Sequence, residues 1–327
     1  VSGLIHRARS SQRRVALAEA DDYTVLKAAD LARDQRIAEP ILLGPEEEIR
    51  SMIGRHGLVA LEGAEIIDPN AEAARCARYA QALYAKRQRR GVTLADALRM
   101  VRDRNYFGAL MVETGDADAL VSGRTREYPK IIRPALQVIG TEPGADRVAG
   151  SYIINSPKGV FFFADTTVNL EPSAEQLARI VGLTARTARY FNIEPVVAVI
   201  SHSNFGSTRS EEADRCREAV AIAKELYPDL IIDGELQANI AIDPVLLREL
   251  YPFSALVGHR VNTLIFPNLS AGNIAYKLLA ELGNAELIGP VLMGMRLPVQ
   301  VLQLGSTVRE IVNMIAFAAT EAQQKQS

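Results

Sequence analysis

The chain has 327 residues, of which 48% are hydrophobic and 23% charged, and its formal net charge is −2. This length and composition are typical of a globular protein with two domains, and the evenly mixed charges give little support to nucleic-acid binding. The longest apolar runs, such as 160–164 and 196–200, have only the length of a strand, so we expect no membrane span, and we expect no signal peptide.

The first residues, Val1-Ser-Gly-Leu, include no methionine, and the stretch from Arg7 to Arg14 is rich in serine and arginine. We interpret this stretch as a linker that leads into a domain cut from a longer polypeptide. A trimmed tag or a removed initiator methionine is the alternative explanation.

Short β-branched runs alternate along the chain with longer segments of helical period. In chain order the sequence predicts strand 15–18, helix 23–36, strand 40–44, helices 71–87 and 93–102, strand 118–123, strand 160–164, helix 173–191, strand 196–200, helix 210–226, strands 229–232 and 263–266, and helices 271–282 and 306–322. This alternation favours a mostly parallel sheet that is covered on both faces. Ligands of such sheets lie at the carboxyl ends of the strands, near helix N-termini.

The common cofactor and metal signatures are absent from the sequence. It contains no G-x-G-x-x-G after a strand, no Walker A loop and no H-E-x-x-H, and its four histidines are scattered. Cys76 and Cys216 lie in charged, helix-like surroundings, which favours a reduced cytoplasmic compartment over a disulfide. We therefore expect neither a bound metal nor a dinucleotide held in the Rossmann manner.

The first informative block is an acidic turn, a strand that ends in Ser122-Gly123, and Arg133-Pro shortly after. It resembles phosphate acetyltransferases, the enzymes that pass an acetyl group between phosphate and coenzyme A. The resemblance implies that Ser122 and Arg133 contact the ligand, and a guanidinium can grip phosphate oxygens with two hydrogen bonds. The histidine and small hydroxyl residues that the family has after Ser-Gly are replaced by Arg-Thr-Arg-Glu-Tyr at 124–128. A surface ion pair is the alternative role for Arg133.

Arg87 is the best match to a substrate-binding arginine that the family has before a basic, glycine-ended turn. Arg89 and Arg90 are close rivals within the same run. A basic helix end at its favourable C-terminal pole would explain the run without a ligand.

The turn Ser201-His-Ser-Asn-Phe-Gly-Ser207 follows a predicted strand, and its backbone N–H groups can cradle an anion. Active acetyltransferases have a similar turn, usually with lysine where Phe205 stands. The form found here resembles the acetyltransferase-like C-terminal domain of bacterial hybrid malic enzymes, which implies ligand contacts for Ser203 and Asn204. For the next acidic block, Asp233-Gly-Glu235, a structural turn is favoured over acid–base or metal chemistry.

The segment 266–273 and Lys277 resemble the turn and helix that line the cleft of the family. A helix N-terminus at this place suits the phosphates of coenzyme A. The resemblance implies that Asn268, Asn273 and Lys277 bind the ligand, and a plain helix cap by Ser270 is compatible with that role.

The segment that follows differs from the active enzymes. They have Ser-Arg where this chain has Gln303-Leu304, and an aspartate, which helps to deprotonate the thiol, where this chain has Glu310. Leucine cannot donate to an oxyanion, and losing one such donor typically costs roughly 10²–10³ in rate. We therefore interpret Gln303, Leu304 and Glu310 as a vestigial site in which Gln303 and Glu310 still contact the ligand. Glu310 could still serve as a base.

The resemblance covers nearly the whole chain and implies two α/β lobes with mostly parallel sheets that flank a cleft. This architecture is also that of isocitrate and isopropylmalate dehydrogenases. We divide the chain into lobe I, residues 1–143 plus 296–327, and lobe II, residues 144–295, which we expect to supply dimer contacts.

The resemblance implies a non-catalytic regulatory domain of an NADP-dependent malic enzyme, which decarboxylates malate oxidatively to pyruvate. Acetyl-CoA would be its allosteric effector and inhibitor, and the domain would support a homodimer or a higher homo-oligomer in the cytoplasm. NADP and magnesium or manganese are implied only for the malic-enzyme catalytic domain in cis, which these residues do not contain. One alternative is an active phosphate acetyltransferase that uses Glu310, Arg87 and Arg133, and another is a purely structural oligomerisation module.

Overall fold

The computed structural model describes residues 2–145, 147–283 and 285–325. Val1, on which the expectation of a longer polypeptide partly rests, lies outside these residues. The chain divides into two compact units, Val1–Gly144 with Met295–Ser327 (unit 1) and Ala145–Gly294 (unit 2). None of the helices in the described ranges combines the length and the hydropathy that a bilayer span requires.

The strands follow one another as β1 (Arg14–Leu17), β2 (Glu39–Leu43), β3 (Glu65–Ile67), β4 (Ala119–Ser122), β5 (Ala149–Ser156), β6 (Gly159–Ala164), β7 (Val196–Ile200), β8 (Ile231–Leu236), β9 (Thr263–Ile265), β10 (Glu286–Met293) and β11 (Val299–Val301). The α-helices are α1 (Ser2–Ser10), α2 (Tyr23–Asp34), α3 (Glu46–His56), α4 (Ala73–Arg87), α5 (Leu94–Met100), α6 (Arg104–Thr114), α7 (Tyr128–Val138), α8 (Ala174–Tyr190), α9 (Glu211–Leu226), α10 (Ala238–Ala241), α11 (Pro244–Leu250), α12 (Leu269–Leu282) and α13 (Val308–Lys325).

Unit 1 is built on a five-stranded sheet in the order β11-β4-β1-β2-β3, and every neighbouring pair is parallel. Helices α6 and α13 pack on β1 and β4, and α13 also packs on β11. Helix α13 is buried from Ile311 to Gln323, so the last segment of the chain is a core element of this unit. The carboxyl ends of β1, β4 and β11 lie side by side, which brings the segments after Leu17, Ser122 and Val301 to one edge.

Unit 2 contains a six-stranded sheet in the order β10-β5-β6-β9-β7-β8. The strands β6, β9, β7 and β8 are mutually parallel, whereas β10, β5 and β6 pair antiparallel. The apolar strands at 160–164 and 196–200 are both interior strands of this sheet and flank β9, as expected from their continuous β-branched and aromatic composition.

The predicted linker at Arg7–Arg14 is wrong for its first residues, because α1 extends to Ser10. Leu4 and Ala8 are fully buried, and α1 packs on α13. These two apolar residues are four positions apart and therefore share one helical face, while the arginines and serines around them occupy the other positions. The serine- and arginine-rich composition thus describes the polar surface of a packed helix.

Candidate functional site

Unit 1 contains a cavity of about 450 Å³ beside α6 and α7, which we call the α6–α7 cavity. Its walls come from the end of α5, the first turns of α6 and α7, and the loop before α7. The lining side chains include Tyr106, Arg126, Lys130 and Arg133. A cavity of this size is typical of a site for a small ligand.

Arg133 lines the α6–α7 cavity with Tyr106, and Arg87 is the last residue of α4. Burial raises the pKa of the Tyr106 hydroxyl, and the charges of Arg133 and Arg87 oppose that rise. Arg133 is exposed and forms no ion pair within the described residues, and the Nε atom of Arg87 is buried without a hydrogen-bond partner. The surface-ion-pair alternative for Arg133 is therefore not what the structure shows. Guanidinium groups that lack a carboxylate partner are available to an anion.

The other two cations of the cavity are already paired. Arg126 donates to the Asp103 carboxylate at 2.8 Å, and Lys130 lies 3.3 Å from Glu127. The sequence analysis did not single out Tyr106, Asp103 or Lys130. Asp103 carried a local signal, since it caps the N-terminus of α6 and its carboxylate accepts a hydrogen bond from a backbone N–H.

The loop after Ser122 is held by Glu19, a buried residue at the carboxyl end of β1 that the sequence analysis missed. Its carboxylate accepts hydrogen bonds from the backbone N–H groups of Gly123 (2.8 Å), Arg124 (2.7 Å) and Thr125 (3.2 Å), and from the Thr125 hydroxyl (2.8 Å). The Oγ atom of Ser122 is buried and has no hydrogen-bond partner among the described residues. An acidic residue directly after a predicted strand was the signal that could have identified Glu19.

The segment that carries Gln303 and Leu304 lies beside this loop. The backbone N–H of Leu302 donates to the carbonyl of Ser122 at 2.7 Å, and that of Gly305 donates to the carbonyl of Arg124 at 2.9 Å. The structure thus brings together two segments that the sequence separates by 180 residues. Leu304 is 63% exposed, so its apolar side chain supplies neither a charge nor a donor here.

Glu310 completes the N-terminus of α13. Its Oε2 atom accepts from the backbone N–H of Thr307 at 2.7 Å and from the Thr307 hydroxyl at 2.9 Å, while its own N–H points to that hydroxyl at 3.3 Å. This reciprocal arrangement is a capping box. The helix cap accounts for the carboxylate at this position without a catalytic role.

The predicted ligand residues of unit 2 form internal hydrogen bonds. Ser203 donates to the buried Glu235 carboxylate at 3.0 Å, and the Asn204 side chain accepts from the Gln237 N–H at 2.8 Å. Glu235 also accepts from the Gly206 N–H at 2.7 Å and from Arg217 at 3.2 Å. These contacts agree with the structural turn favoured for the acidic block.

Helix α12 begins two residues before the predicted start, and its N-cap is Asn268 instead of Ser270. The Asn268 side chain accepts from the Ala271 N–H at 2.9 Å and donates to Glu212 at 2.8 Å. Asn273 donates to the carbonyl of Thr166 at 3.1 Å. Among the predicted residues of this helix, only Lys277 has a side chain without a hydrogen bond within the described part of the chain.

The family model of phosphate acetyl/butaryl transferases matches residues 1–319. A phosphate acetyltransferase of Thermoanaerobacterium thermosaccharolyticum is 41% identical over 330 residues, which cover 99% of each chain. An NADP-dependent malic enzyme of Haemophilus influenzae is 38% identical over 325 residues, which cover 98% of this chain and 43% of the relative. A phosphotransacetylase of Streptococcus pyogenes superposes with a TM-score of 0.94 at 37% identity, covering 99% of this chain and 98% of the other. This similarity confirms the predicted α/β fold with mostly parallel sheets.

Proposed function

The chain belongs to the phosphate acetyl/butaryl transferase family, and from that premise we propose that it transfers an acetyl group between coenzyme A and phosphate. Several relatives that match over their full length are phosphate acetyltransferases, and they favour this function over the regulatory domain that the sequence analysis preferred. The observation that carries the proposal is that Arg133 lines the α6–α7 cavity together with Tyr106, on which the charge of Arg87 also acts.

The proposed reaction needs cations more than it needs covalent chemistry from the protein. The thiol of coenzyme A gives up its proton, which the departing phosphate or water takes, and its sulfur attacks the acetyl carbonyl. The bond between that carbon and the phosphate oxygen then breaks, and phosphate leaves with the electron pair. Arg133 and Arg87 would bind the phosphate oxygens, and the unpartnered Ser122 hydroxyl could donate to one of the developing charges. Because Leu304 supplies no cation, we expect transfer to be slower by roughly 10²–10³ than with arginine at this position.

The test mixes coenzyme A with acetyl phosphate and follows the thioester absorbance. We expect slow but steady turnover that falls at least tenfold in Arg133→Gln, since hydrogen bonds to charged groups are the stronger ones. Arg55→Gln is the matched control, because Arg55 is exposed on α3 and does not line the cavity. Absence of turnover in the wild type would overturn the proposal.

A second candidate is the regulatory domain of an NADP-dependent malic enzyme, which binds acetyl-CoA without turnover and supports a homodimer or higher oligomer. It is favoured by the exposed Leu304, by the use of Glu310 as a helix cap, and by the similarity to the Haemophilus malic enzyme. Allostery of this kind requires a second site in the longer protein and different affinities for two states.

Thermal unfolding with and without acetyl-CoA separates the two candidates. A ligand at roughly 100 times its dissociation constant stabilises the folded state by about 2.7 kcal/mol. Stabilisation without thioester formation from acetyl phosphate supports the regulatory function, and stabilisation with turnover supports the transferase. If acetyl-CoA at millimolar concentration produced no shift, neither function could stand.

A further inference from the structure

Unit 2 contains a group of reactive side chains at the carboxyl ends of β7 and β9 that the proposed acetyl transfer does not use. The strands β7 and β9 are parallel neighbours, so the segments that follow them lie side by side. His202 follows β7, Asn268 follows β9, and Ser210 and Glu212 lie at the start of α9. Parallel α/β sheets carry their functional groups at this edge.

The side chains of Ser210, His202 and Glu212 place an imidazole between a hydroxyl and a carboxylate. The Oγ atom of Ser210 lies 3.4 Å from Nε2 of His202, and Nδ1 of His202 lies 3.5 Å from Oε1 of Glu212. Each ring nitrogen therefore faces one partner, which is the order that a serine nucleophile, its general base and an orienting carboxylate require. Both distances exceed the roughly 2.6–3.2 Å of a tight nucleophile–base pair, so we expect a slow reaction.

The carboxylate and the imidazole are both held by neighbouring residues. The Oε2 atom of Glu212 accepts a hydrogen bond from the Asn268 side chain at 2.8 Å, while Oε1 is the atom that faces His202. The backbone carbonyl of His202 accepts from the Gln237 side chain at 2.7 Å, which fixes the start of the turn 201–207. The His202 side chain is 50% exposed, so a small substrate can reach it.

Helix α9 supplies donors for negative charge on Ser210 and on a substrate oxygen. Ser210 is the N-cap of α9, and its Oγ atom accepts from the backbone N–H of Ala213 at 3.1 Å. The backbone N–H groups of the two residues between them, Glu211 and Glu212, have no acceptor within the described ranges. Two such N–H groups beside a nucleophile can act as an oxyanion hole.

The charges around Ser210 indicate which substrates suit this group. The segment 209–217 contains three arginines and three acidic residues, so its formal charge is zero. A segment without net charge does not attract an anion such as an acyl phosphate or a coenzyme A thioester. The favoured substrate class is therefore a neutral acyl ester with a good leaving group.

We propose that Ser210, His202 and Glu212 form a second catalytic site, which hydrolyses neutral, activated acyl esters through an acyl group carried on Ser210. The Ser210 oxygen attacks the ester carbonyl while Nε2 of His202 takes the hydroxyl proton. The bond from the carbonyl carbon to the leaving oxygen then breaks, and that oxygen takes the electron pair and the proton. Water attacks the acyl-serine by the same route, which releases the acid and restores the Ser210 hydroxyl. None of these steps uses a residue of the α6–α7 cavity.

Hydrolysis of p-nitrophenyl acetate by the whole chain tests the proposal. It is followed as the absorbance of the released phenolate and, after an acid quench, as an acetyl group on the peptide that contains Ser210. We expect the rate above that of buffer to fall about a hundredfold in His202→Gln and about tenfold in Glu212→Gln. His259→Gln is the matched control, because His259 is also exposed in unit 2 but lies outside this group, and it should leave the rate unchanged.

The variant Ser210→Asn separates the nucleophile from the helix cap. Asparagine caps a helix about as well as serine but has no hydroxyl, so we expect an unchanged melting temperature and loss of both hydrolysis and the acetylated peptide. Hydrolysis that survives in Ser210→Asn, an unchanged rate in His202→Gln or Glu212→Gln, equal losses in His202→Gln and His259→Gln, or no hydrolysis above that of buffer by the wild type overturns the proposal. The assay contains neither phosphate nor coenzyme A, so its failure is distinct from a failure of the proposed acetyl transfer.

Discussion

Replacing Glu235 with glutamine should weaken the part of unit 2 that orders the turn 201–207. The Glu235 side chain is fully buried, with 0% exposure, and accepts from Ser203 (3.0 Å), Gly206 (2.7 Å) and Arg217 (3.2 Å). Glutamine has nearly the same volume, so no cavity forms. Its single acceptor oxygen can keep two of these donors at most, and its amide nitrogen then faces a guanidinium.

The free energy of unfolding that Glu235→Gln loses can be estimated from these contacts. Hydrogen bonds to charged groups contribute about 1.5–3 kcal/mol each, and neutral ones about 1 kcal/mol. Arg217 is 45% exposed, so its ion pair is screened and contributes less than a fully buried one. We therefore expect the free energy of unfolding to fall by about 2 kcal/mol, which lowers the melting temperature by about 4–8 °C for a unit of this size.

The loss of stability in Glu235→Gln should depend on pH. Burial by itself would raise the pKa of the Glu235 carboxyl, but hydrogen bonds from Arg217, Gly206 and Ser203 outweigh it and lower the pKa below the ordinary 4.5. A carboxyl with a lowered pKa in the folded state adds stability above its unfolded pKa, and that stability is lost as the pH falls through the folded value. The difference between wild type and Glu235→Gln should be full at pH 7 and shrink below about pH 4.

Urea unfolding at pH 7 and at stepwise lower pH measures this difference from the midpoints and slopes. Glu249→Gln is the matched control, because Glu249 is exposed on α11 and its side chain forms no hydrogen bond within the described residues. A difference under about 0.5 kcal/mol at pH 7, the range of ordinary surface changes, would refute the reasoning. So would a difference that persists unchanged in acid.

Three further predictions concern backbone space, loop order and a thiol. Gly123→Ala should lower the free energy of unfolding, measured in urea, by more than about 3 kcal/mol, because the added Cβ would lie 2.6 Å from the Leu302 carbonyl oxygen. Gly63→Ala is the control: its Cβ meets open space, and the free energy of unfolding should fall by only about 1–2 kcal/mol. Equal losses in the two variants would contradict this reasoning. Glu19→Gln should weaken the hydrogen bonds that hold the loop 123–125. We expect faster hydrogen exchange of these three amides and weaker binding of acetyl phosphate. Unchanged amide exchange would contradict this prediction. Burial raises the pKa of the Cys216 thiol to about 12, so a thiol reagent at pH 8 should label it only as the protein unfolds; rapid labelling of the folded protein would be the opposite result.

The sequence predicted best those strands whose side chains are apolar on both faces of the sheet. The runs at 160–164 and 196–200 are interior strands, and their composition leaves few alternatives. Helix α7 was missed because Pro134 lies inside it and Pro129 near its start, and such residues usually mark helix boundaries. Strand β5 was missed because its glycine, serine and asparagine residues are typical of loops, and its pairing with β10 and β6 overrides that preference.

The sequence predicts less of the candidate site than of the fold. Nothing local in the sequence indicates that the charge of Arg87 acts on Tyr106, since α4 and α6 meet only in the folded unit, and the family resemblance alone suggested that arginine. Glu19 was missed as the organiser of the loop after Ser122, because the residues that it holds are 104–106 positions away. Long-range hydrogen bonds of this kind leave no periodic pattern.

The segment 302–310 shows why the fold does not decide the rate of the proposed reaction. Its backbone is fixed by the hydrogen bonds of Leu302 and Gly305 to the loop after β4, and these need no particular side chain at 303 or 304. The capping box of Thr307 and Glu310 likewise needs only a helix start. The same backbone can therefore be kept whether position 304 holds leucine, as here, or the arginine that the resemblance implies for active enzymes. Identity near 40% over the whole chain is compatible with either outcome, and measurement of acetyl transfer distinguishes them.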